Sequence, residues 1–254
     1  MAAVPCQLEK YLGSVPYHPL DPTEMAQART PDALYAWVRQ KCRELSASPE
    51  VKAYARSGAK LPKKFYDEIF PLATFAVHEY GGRTDVLIQP NLRSDGFDAT
   101  VKFDEPQARN LYVETTFAKD GYDESLRMEV LAKEGHVFLT GPVSKSGRRG
   151  AANRTVTVKP VAASRSKQLA SYFDLIEARI AAKAKARYGR DHVLLVAVDD
   201  YLPLAHDHDW PLLDERARSW IERFALDFGR VVFVGIAGRL VISYSLPATR
   251  VQER

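Results

Sequence analysis

The sequence predicts a mixed α/β fold in which a central β-sheet is flanked by helices. Apolar residues recur at helical spacing before residue 80, and shorter runs typical of strands follow between residues 85 and 118. Residues 192–198 form a nearly continuous apolar run between two helical segments, which is typical of a strand buried on both faces. The 254 residues, 46% hydrophobic and 27% charged, have the composition of a globular protein with a buried core.

Three helices are expected ahead of the first strand. Residues 1–30 show no lasting period and are interpreted as an extended arm. Thr30-Pro31 and Ser48-Pro49 each place a capping residue before a proline at the first helical position, so a helix should begin at each. A third helix is expected over residues 63–80, where Pro71 can kink it and Gly81 ends it.

Strands dominate the middle of the chain. They are expected over residues 85–88, 96–103 and 111–118, and a polar segment joins the last two. A helix over residues 123–134 should follow, and residues 137–139 are then expected to pair with residues 155–161 as a second hairpin.

The C-terminal part is expected to add two helices and three strands. The helices are predicted over residues 164–188 and 212–228, and the strands over 192–198, 231–236 and 240–246. Because the strands are interleaved with helices, a mixed sheet with helical layers follows. No linker is long enough to require a boundary, so one domain is predicted over 1–254, made of a helical lead-in (1–62), a core (63–200) with an insertion (120–163), and a C-terminal part (201–254).

The candidate chemistry lies in the central hairpin. If its turn is centred near Gln107, Asp98 lies opposite Thr116, and Glu114 lies two residues back along the same strand. Residues two apart point to one face, and cross-strand neighbours come within about 5 Å, so the three side chains would project together. A shift of one residue in register would turn Asp98 to the opposite face.

Two carboxylates on one face of a largely apolar hairpin are costly unless something cancels their charge. Mg²⁺ or Mn²⁺ would do so, since these ions prefer oxygen ligands. Such an ion polarises a phosphodiester and lowers the pKa of a bound water. The alternative is that Asp98 is solvated at a strand end and Glu114 pairs with Arg127 or Lys102.

These acids belong to a wider set of motifs, namely Gly96-Phe97-Asp98, Val113-Glu114-Thr115-Thr116, and Gln168 with Tyr172 on the later helix. Together they resemble the PD-(D/E)XK nuclease superfamily, in particular its RecB-like branch, over roughly residues 63–200. The resemblance implies a restriction-endonuclease-like core of a helix, three strands, a helix and a fourth strand. It also implies cleavage of DNA or RNA with Mg²⁺ or Mn²⁺ bound by Asp98 and Glu114, and Gln168 and Tyr172 orienting the site or touching the substrate backbone.

The chain departs from the family at its third catalytic position, where Thr116 stands in place of the usual lysine. That lysine helps to position the attacking water, so its absence puts catalysis in doubt; Lys167 on the later helix is the predicted substitute. An acid on the preceding helix often completes the metal site in this superfamily. Glu79 is preferred over Glu68 for this role because it is nearer the entry to the first strand.

The balance of charge allows a nucleic-acid partner without requiring one. Lys and Arg number 36 against 32 Asp and Glu, which gives a net charge of +4. A glycine-containing segment without acids is expected to contact the phosphates of nucleic acid, in the first place DNA, through Lys145, Arg148, Arg149 and Arg154. Its alternative is an ordinary solvated hairpin tip.

Two rival functions stay open: a binding protein on the same fold that has lost cleavage, and a structural or assembly protein without a nucleic-acid role. No signal peptide is visible and no apolar run is long enough to span a bilayer, so a cytoplasmic protein without a membrane partner is expected. The pair His206 and His208 lacks a third ligand at fixed spacing and is interpreted as a solvated loop.

Overall fold

A computed structural model describes residues 19–93, 96–104, 108–138, 141–148, 151 and 153–247. These fall into two compact units. The first holds the described parts of 1–21, 40–63 and 119–164, and the second holds those of 22–39, 64–118 and 165–254. The predicted insertion at 120–163 therefore lies within the first unit.

The helices and strands follow one another along the chain in a mixed order. They are α1 (Pro22–Met25), α2 (Pro31–Glu44), α3 (Pro49–Arg56), α4 (Lys60–Lys64), a π-helical turn (Phe65–Ile69), α5 (Phe70–Tyr80), β1 (Val86–Pro90), β2 (Ala99–Phe103), β3 (Arg109–Phe117), α6 (Gly121–Glu134), β4 (Val143–Ser146), β5 (Thr155–Val158), α7 (Arg165–Lys183), β6 (Gly189–Val198), a 3₁₀ turn (Asp207–Asp209), α8 (Trp210–Phe224), β7 (Phe228–Gly235) and β8 (Val241–Ser245).

The second unit is built on a six-stranded sheet in the order β1-β2-β3-β6-β7-β8. The pairs β1–β2, β2–β3 and β7–β8 are antiparallel, whereas β3–β6 and β6–β7 are parallel. Helices α5, α7 and α8 belong to the same unit. The predicted class, a mixed sheet flanked by helices in an α/β fold, is confirmed.

Strand β6 forms the centre of this sheet, and every residue from Val193 to Val198 is buried. Leu194, Val196 and Val198 pack in one apolar cluster with Ile176 and Ile180 of α7, and α5 contacts the strand as well. A strand covered on both faces needs apolar residues at every position, which explains the continuous run in the sequence.

The first unit combines α3, α6 and the β4–β5 hairpin, and α6 contacts the other three elements. The Asp120 carboxylate accepts hydrogen bonds from the first backbone N–H groups of α6, and Gly135 ends the helix in the left-handed conformation at φ 77°. Leu126 and Val130 are its buried residues. Ser48 caps α3 in the same way, through the backbone N–H of Val51.

The second predicted hairpin was wrong in its first strand. Val143–Ser146 pairs with Thr155–Val158, whereas Val137 and Phe138 belong to no strand. Leu139 lies outside the described residues. Gly147 follows β4 at φ 77°, a conformation that favours glycine, and lets the chain turn back at that point. Part of the predicted basic loop is therefore strand.

Three helix boundaries also differ from the prediction. The third helix begins at Lys60 and contains a π-helical turn, with Pro71 buried in the first turn of α5. Helix α7 ends at Lys183 instead of residue 188, because β6 already begins at Gly189. Helix α8 covers Trp210–Phe224 and is ended by Ala225 in the left-handed region, which frees Phe228 to begin β7.

No helix within the described residues is long and apolar enough to cross a membrane. The segment 1–18, part of the expected extended arm, lies outside the described residues.

Candidate active site at the β2–β3 hairpin

The register of the β2–β3 hairpin brings Asp98 beside Glu114. Ala99, the first residue of β2, pairs with Val113, and the backbone N–H of Asp98 donates to the Val113 carbonyl at 2.8 Å. The predicted register, with Asp98 opposite Thr116, was therefore wrong by two residues. The predicted turn centre, Gln107, lies outside the described residues.

The Asp98 carboxylate is fixed against β3. Its Oδ2 accepts a hydrogen bond from the backbone N–H of Thr115 at 2.8 Å. The backbone carbonyl of Asp98 accepts a hydrogen bond from the backbone N–H of Asn91 at 2.7 Å, and the Asn91 side chain donates to the Phe97 carbonyl at 3.0 Å. The bond from Thr115 holds this half-buried acid against the strand that carries Glu114, and the two bonds from Asn91 hold residues 97 and 98 beside the end of β1.

Glu114 is paired with a lysine from a helix. Lys183, the last residue of α7, binds Glu114 Oε1 in an ion pair, and their side chains are 24% and 12% exposed. Burial raises the pKa of Glu114, the bond to Lys183 opposes this effect, and the charge of Asp98 adds to it. Burial would lower the pKa of Lys183, but the bond to Glu114 and the charges of Glu114, Tyr188 and Asp98 together outweigh burial and raise that pKa.

A third carboxylate, Glu68, comes from the π-helical turn, which contacts β3. Glu68 pairs with Lys64 at 2.7 Å, and its side chain is 25% exposed. Burial and the charge of Asp98 raise the pKa of Glu68 to about 7, against the opposing effect of Lys64. Asp98 therefore interacts with an acid on each side, and this crowding of negative charge favours binding of either a proton or a cation.

The donor set suits a hard divalent cation. Carboxylate oxygens are the ligands of Mg²⁺ and Mn²⁺, and here the lysines offset only part of the negative charge. In the part of the chain that the structure describes, no group of three or more His, Cys, Asp or Glu side chains is already arranged around one metal position. A cation would be held by Asp98 together with Glu114 or Glu68, with water completing its shell.

Comparisons with protein-family models, with curated proteins and with solved structures gave no match.

Two of the predicted site residues do not take the places predicted for them, since Glu79 is not the acid beside Asp98 and Thr116 is not opposite Asp98. Glu79 forms an ion pair with Arg230 of β7 at 2.6 Å, so Glu68 is the helical acid that interacts with Asp98. Thr116 is buried in β3, two residues beyond Glu114 on the same strand.

The predicted helix motif lies at the far end of α7. Lys167 and Gln168 are exposed in its first turn, roughly 22–24 Å along the helix axis from Lys183 at about 1.5 Å per residue. Tyr172 is buried, and its hydroxyl accepts a hydrogen bond from the backbone N–H of Asp199 at 2.5 Å, at the end of β6. Burial raises the pKa of Tyr172. The structure does not bring these three residues to Asp98 and Glu114.

Sequence reasoning missed Lys183 and ranked Glu68 behind Glu79, although the helical period places both on buried faces. Lys183 follows Ile176 and Ile180 at the spacing of the buried face of α7. Glu68 follows Phe65 and precedes Leu72 at the same kind of spacing, so it too falls on a buried face. A charged residue at such a position needs a partner, which would have been the signal.

The predicted basic segment lies in the first unit, and its members differ in their contacts. Arg154 makes a two-pronged ion pair with Glu129 at 2.6 and 2.8 Å, so its charge is already offset. Lys145 lies over the ring of Tyr122 at 4.7 Å, and Arg148 is exposed. Arg149 lies outside the described residues.

Proposed function

We propose that this protein is a metal-dependent nuclease that hydrolyses phosphodiester bonds of nucleic acid, with Asp98 and Glu114 holding Mg²⁺ or Mn²⁺. The observation that carries the proposal is the meeting of Asp98, fixed by the Thr115 backbone, with Glu114 and the Lys183 amine on neighbouring strands and a helix. Carboxylates can hold a metal ion that activates water, and an amine can stabilise negative charge on a phosphate, so these groups together suit phosphodiester hydrolysis.

The order of elements supports membership of the PD-(D/E)XK superfamily. Helix α5 is followed by the antiparallel strands β1, β2 and β3, and then, beyond the first-unit segment, by α7 and by β6, which runs parallel to β3. This order is compatible with the helix, three strands, helix and fourth strand that the resemblance implies.

Lys183 takes the part of the lysine that Thr116 does not supply. Its ammonium group lies at the Glu114 carboxylate, where it can stabilise negative charge on a phosphate. Glu68 takes the part of the helical acid, because its position beside Asp98 lets it hold the cation or accept a proton near neutral pH. A bound Mg²⁺ or Mn²⁺ would polarise the phosphodiester and lower the pKa of its water.

Nicking of supercoiled plasmid in Mg²⁺ or Mn²⁺ tests the proposal. Asp98→Asn and Glu114→Gln should each reduce the nicking rate by about 100-fold or more, since each removes a ligand worth several kcal/mol in the transition state. Asp174→Asn, an exposed acid of α7, is the matched control and should nick at the wild-type rate. Equal rates for wild type and Asp98→Asn would show that the activity does not come from this site.

A second candidate is a nucleic-acid-binding protein without cleavage, and one observation favours it. Lys183 and Lys64 already pair with Glu114 and Glu68, so the cluster can be stable without a metal ion. Salt-dependent binding of DNA without nicking in either metal would support this candidate. Absence of both binding and nicking would leave a structural or assembly role.

A further inference from the structure

A row of partly exposed rings lies beside the acid pair. The ring centroids of Phe97 and Tyr112 are 4.9 Å apart, those of Tyr112 and His192 are 5.0 Å apart, and those of His192 and Tyr188 are 5.7 Å apart. We call these four residues the aromatic row. At its inner end Tyr188 stacks on the buried Phe228 at 4.4 Å, which anchors the row to the core.

The row is next to the proposed reacting groups. Phe97 directly precedes Asp98, and Tyr112 precedes Glu114 by two residues, which places Tyr112 and Glu114 on one face of β3. His192 is the register partner of Tyr112 on β6. The charges of Glu114, Lys183 and Asp98 all act on the Tyr188 hydroxyl, so the other end of the row is also close to them.

The end of α7 explains why these rings are not fully covered. The helix runs from Tyr172, at the end of β6, back to Lys183, which meets Glu114 near the middle of β3. Tyr112 and His192 lie on the strand segments beyond that last helical residue. Each ring of the row is therefore partly exposed, whereas the rings of Phe103 and Phe228 are buried.

Positive charge flanks the row. Lys185 and Arg187 are exposed immediately before Tyr188, and Arg109 is exposed at the start of β3. His192 is held by the neighbouring Asp191 carboxylate at 3.0 Å. Aromatic rings between exposed cations match the bases and phosphates of an unpaired nucleic-acid strand.

We propose that the aromatic row stacks against unpaired bases of the strand whose phosphodiester lies at Asp98 and Glu114, so that the substrate is single-stranded nucleic acid or a single-stranded part of a duplex. The inference rests on the proposed function for the position of the strand at Asp98 and Glu114. The binding of the bases depends on the rings alone. Stacking tolerates every base, since each has a π-face, so no sequence preference is expected from the row.

The test compares an oligothymidylate with an abasic oligonucleotide of the same length, which keeps the phosphates and lacks the bases. Fluorescence anisotropy in a metal chelator gives both affinities without cleavage. Wild type should bind the oligothymidylate roughly 10- to 100-fold more tightly than the abasic strand, because loss of one base–aromatic stack costs about that much. Equal affinities, or no measurable binding of either strand, would overturn the proposal without any mutant.

Tyr112→Leu and Tyr188→Leu locate the effect. Each should remove most of the preference for the oligothymidylate and leave the affinity for the abasic strand unchanged. Tyr201→Leu is the control, since Tyr201 is 70% exposed outside the row, and it should behave as wild type. A full preference in both row variants, with wild-type thermal melting, would also overturn the proposal.

The two proposals fail in different measurements. If the protein binds bases through the row but never cleaves in Mg²⁺ or Mn²⁺, the stacking proposal stands and the nuclease proposal fails. If the protein nicks plasmid through Asp98 but shows no preference for bases, the nuclease proposal stands and the stacking proposal fails.

Discussion

At the scale of single residues, Glu68 links the stability of the protein to pH. Its pKa is raised from 4.5 to about 7 by burial and by Asp98. Between these two pH values the folded state therefore holds a proton that the unfolded state releases. The stability that this proton contributes is present below pH about 4.5 and is lost as the pH rises through about 7.

We therefore expect Glu68→Gln to stabilise the protein at pH 8 by about 1–2 kcal/mol relative to wild type, and to lose this advantage at acidic pH. Urea unfolding across this range measures it. Glu215→Gln, at an exposed position of α8, is the control and should show no such dependence. A pH-independent effect of Glu68→Gln would contradict the assignment.

The same crowding predicts a response to metal ions. Mn²⁺ should raise the melting temperature of wild type at pH 8, since a ligand at about 100 times its Kd stabilises the folded state by about 2.7 kcal/mol. Asp98→Ala should abolish the shift, because Asp98 is the acid that interacts with both glutamates. An equal shift in wild type and Asp98→Ala would place the ion elsewhere.

At the scale of elements, the two ends of α7 should contribute unequally to activity. Lys183→Ala should reduce plasmid nicking by about 100-fold or more, because the amine at Glu114 is lost. Gln168→Ala and Lys167→Ala change exposed residues in the first turn of α7. Each should change the nicking rate by less than about threefold, as substitutions at exposed positions usually do. The reverse pattern would return the site to the helix motif that the sequence suggested.

The elements also show what the sequence can and cannot predict. Strand β6 and the start of α3 follow from local chemistry, namely a continuous apolar run and the Ser48 cap before Pro49, and these predictions were confirmed. The β2–β3 register does not follow from local chemistry, because the polar segment that connects the two strands contains no residue pair that dictates a unique turn.

Lys183 was overlooked, and Glu68 was ranked behind Glu79, for a different reason. A charged residue in a helix is usually solvated, and only the fold shows that the buried faces of α7 and the π-helical turn meet β3. Their roles depend on long-range pairing, which no local pattern encodes.

At the scale of the whole molecule, the basic residues of the first unit can be tested apart from the acids of the second. The double variant Lys145→Ala/Arg148→Ala should reduce the slope of log affinity against log salt by about 2, if both contact phosphates of DNA. Arg216→Ala, on α8, is the control. An unchanged slope would identify the segment as a solvated hairpin tip.

The ion pair of Glu114 with Lys183 joins residues that are 69 positions apart, whereas Asp98 bonds to Thr115 across only 17. Loop-closure entropy favours the short-range contact, so the β2–β3 hairpin should form before Lys183 reaches Glu114. During that interval two carboxylates are desolvated without their counter-charge, which makes the folding barrier itself sensitive to protons. Refolding followed by stopped-flow fluorescence should then be faster in acid than at alkaline pH, and Glu114→Gln should flatten the dependence.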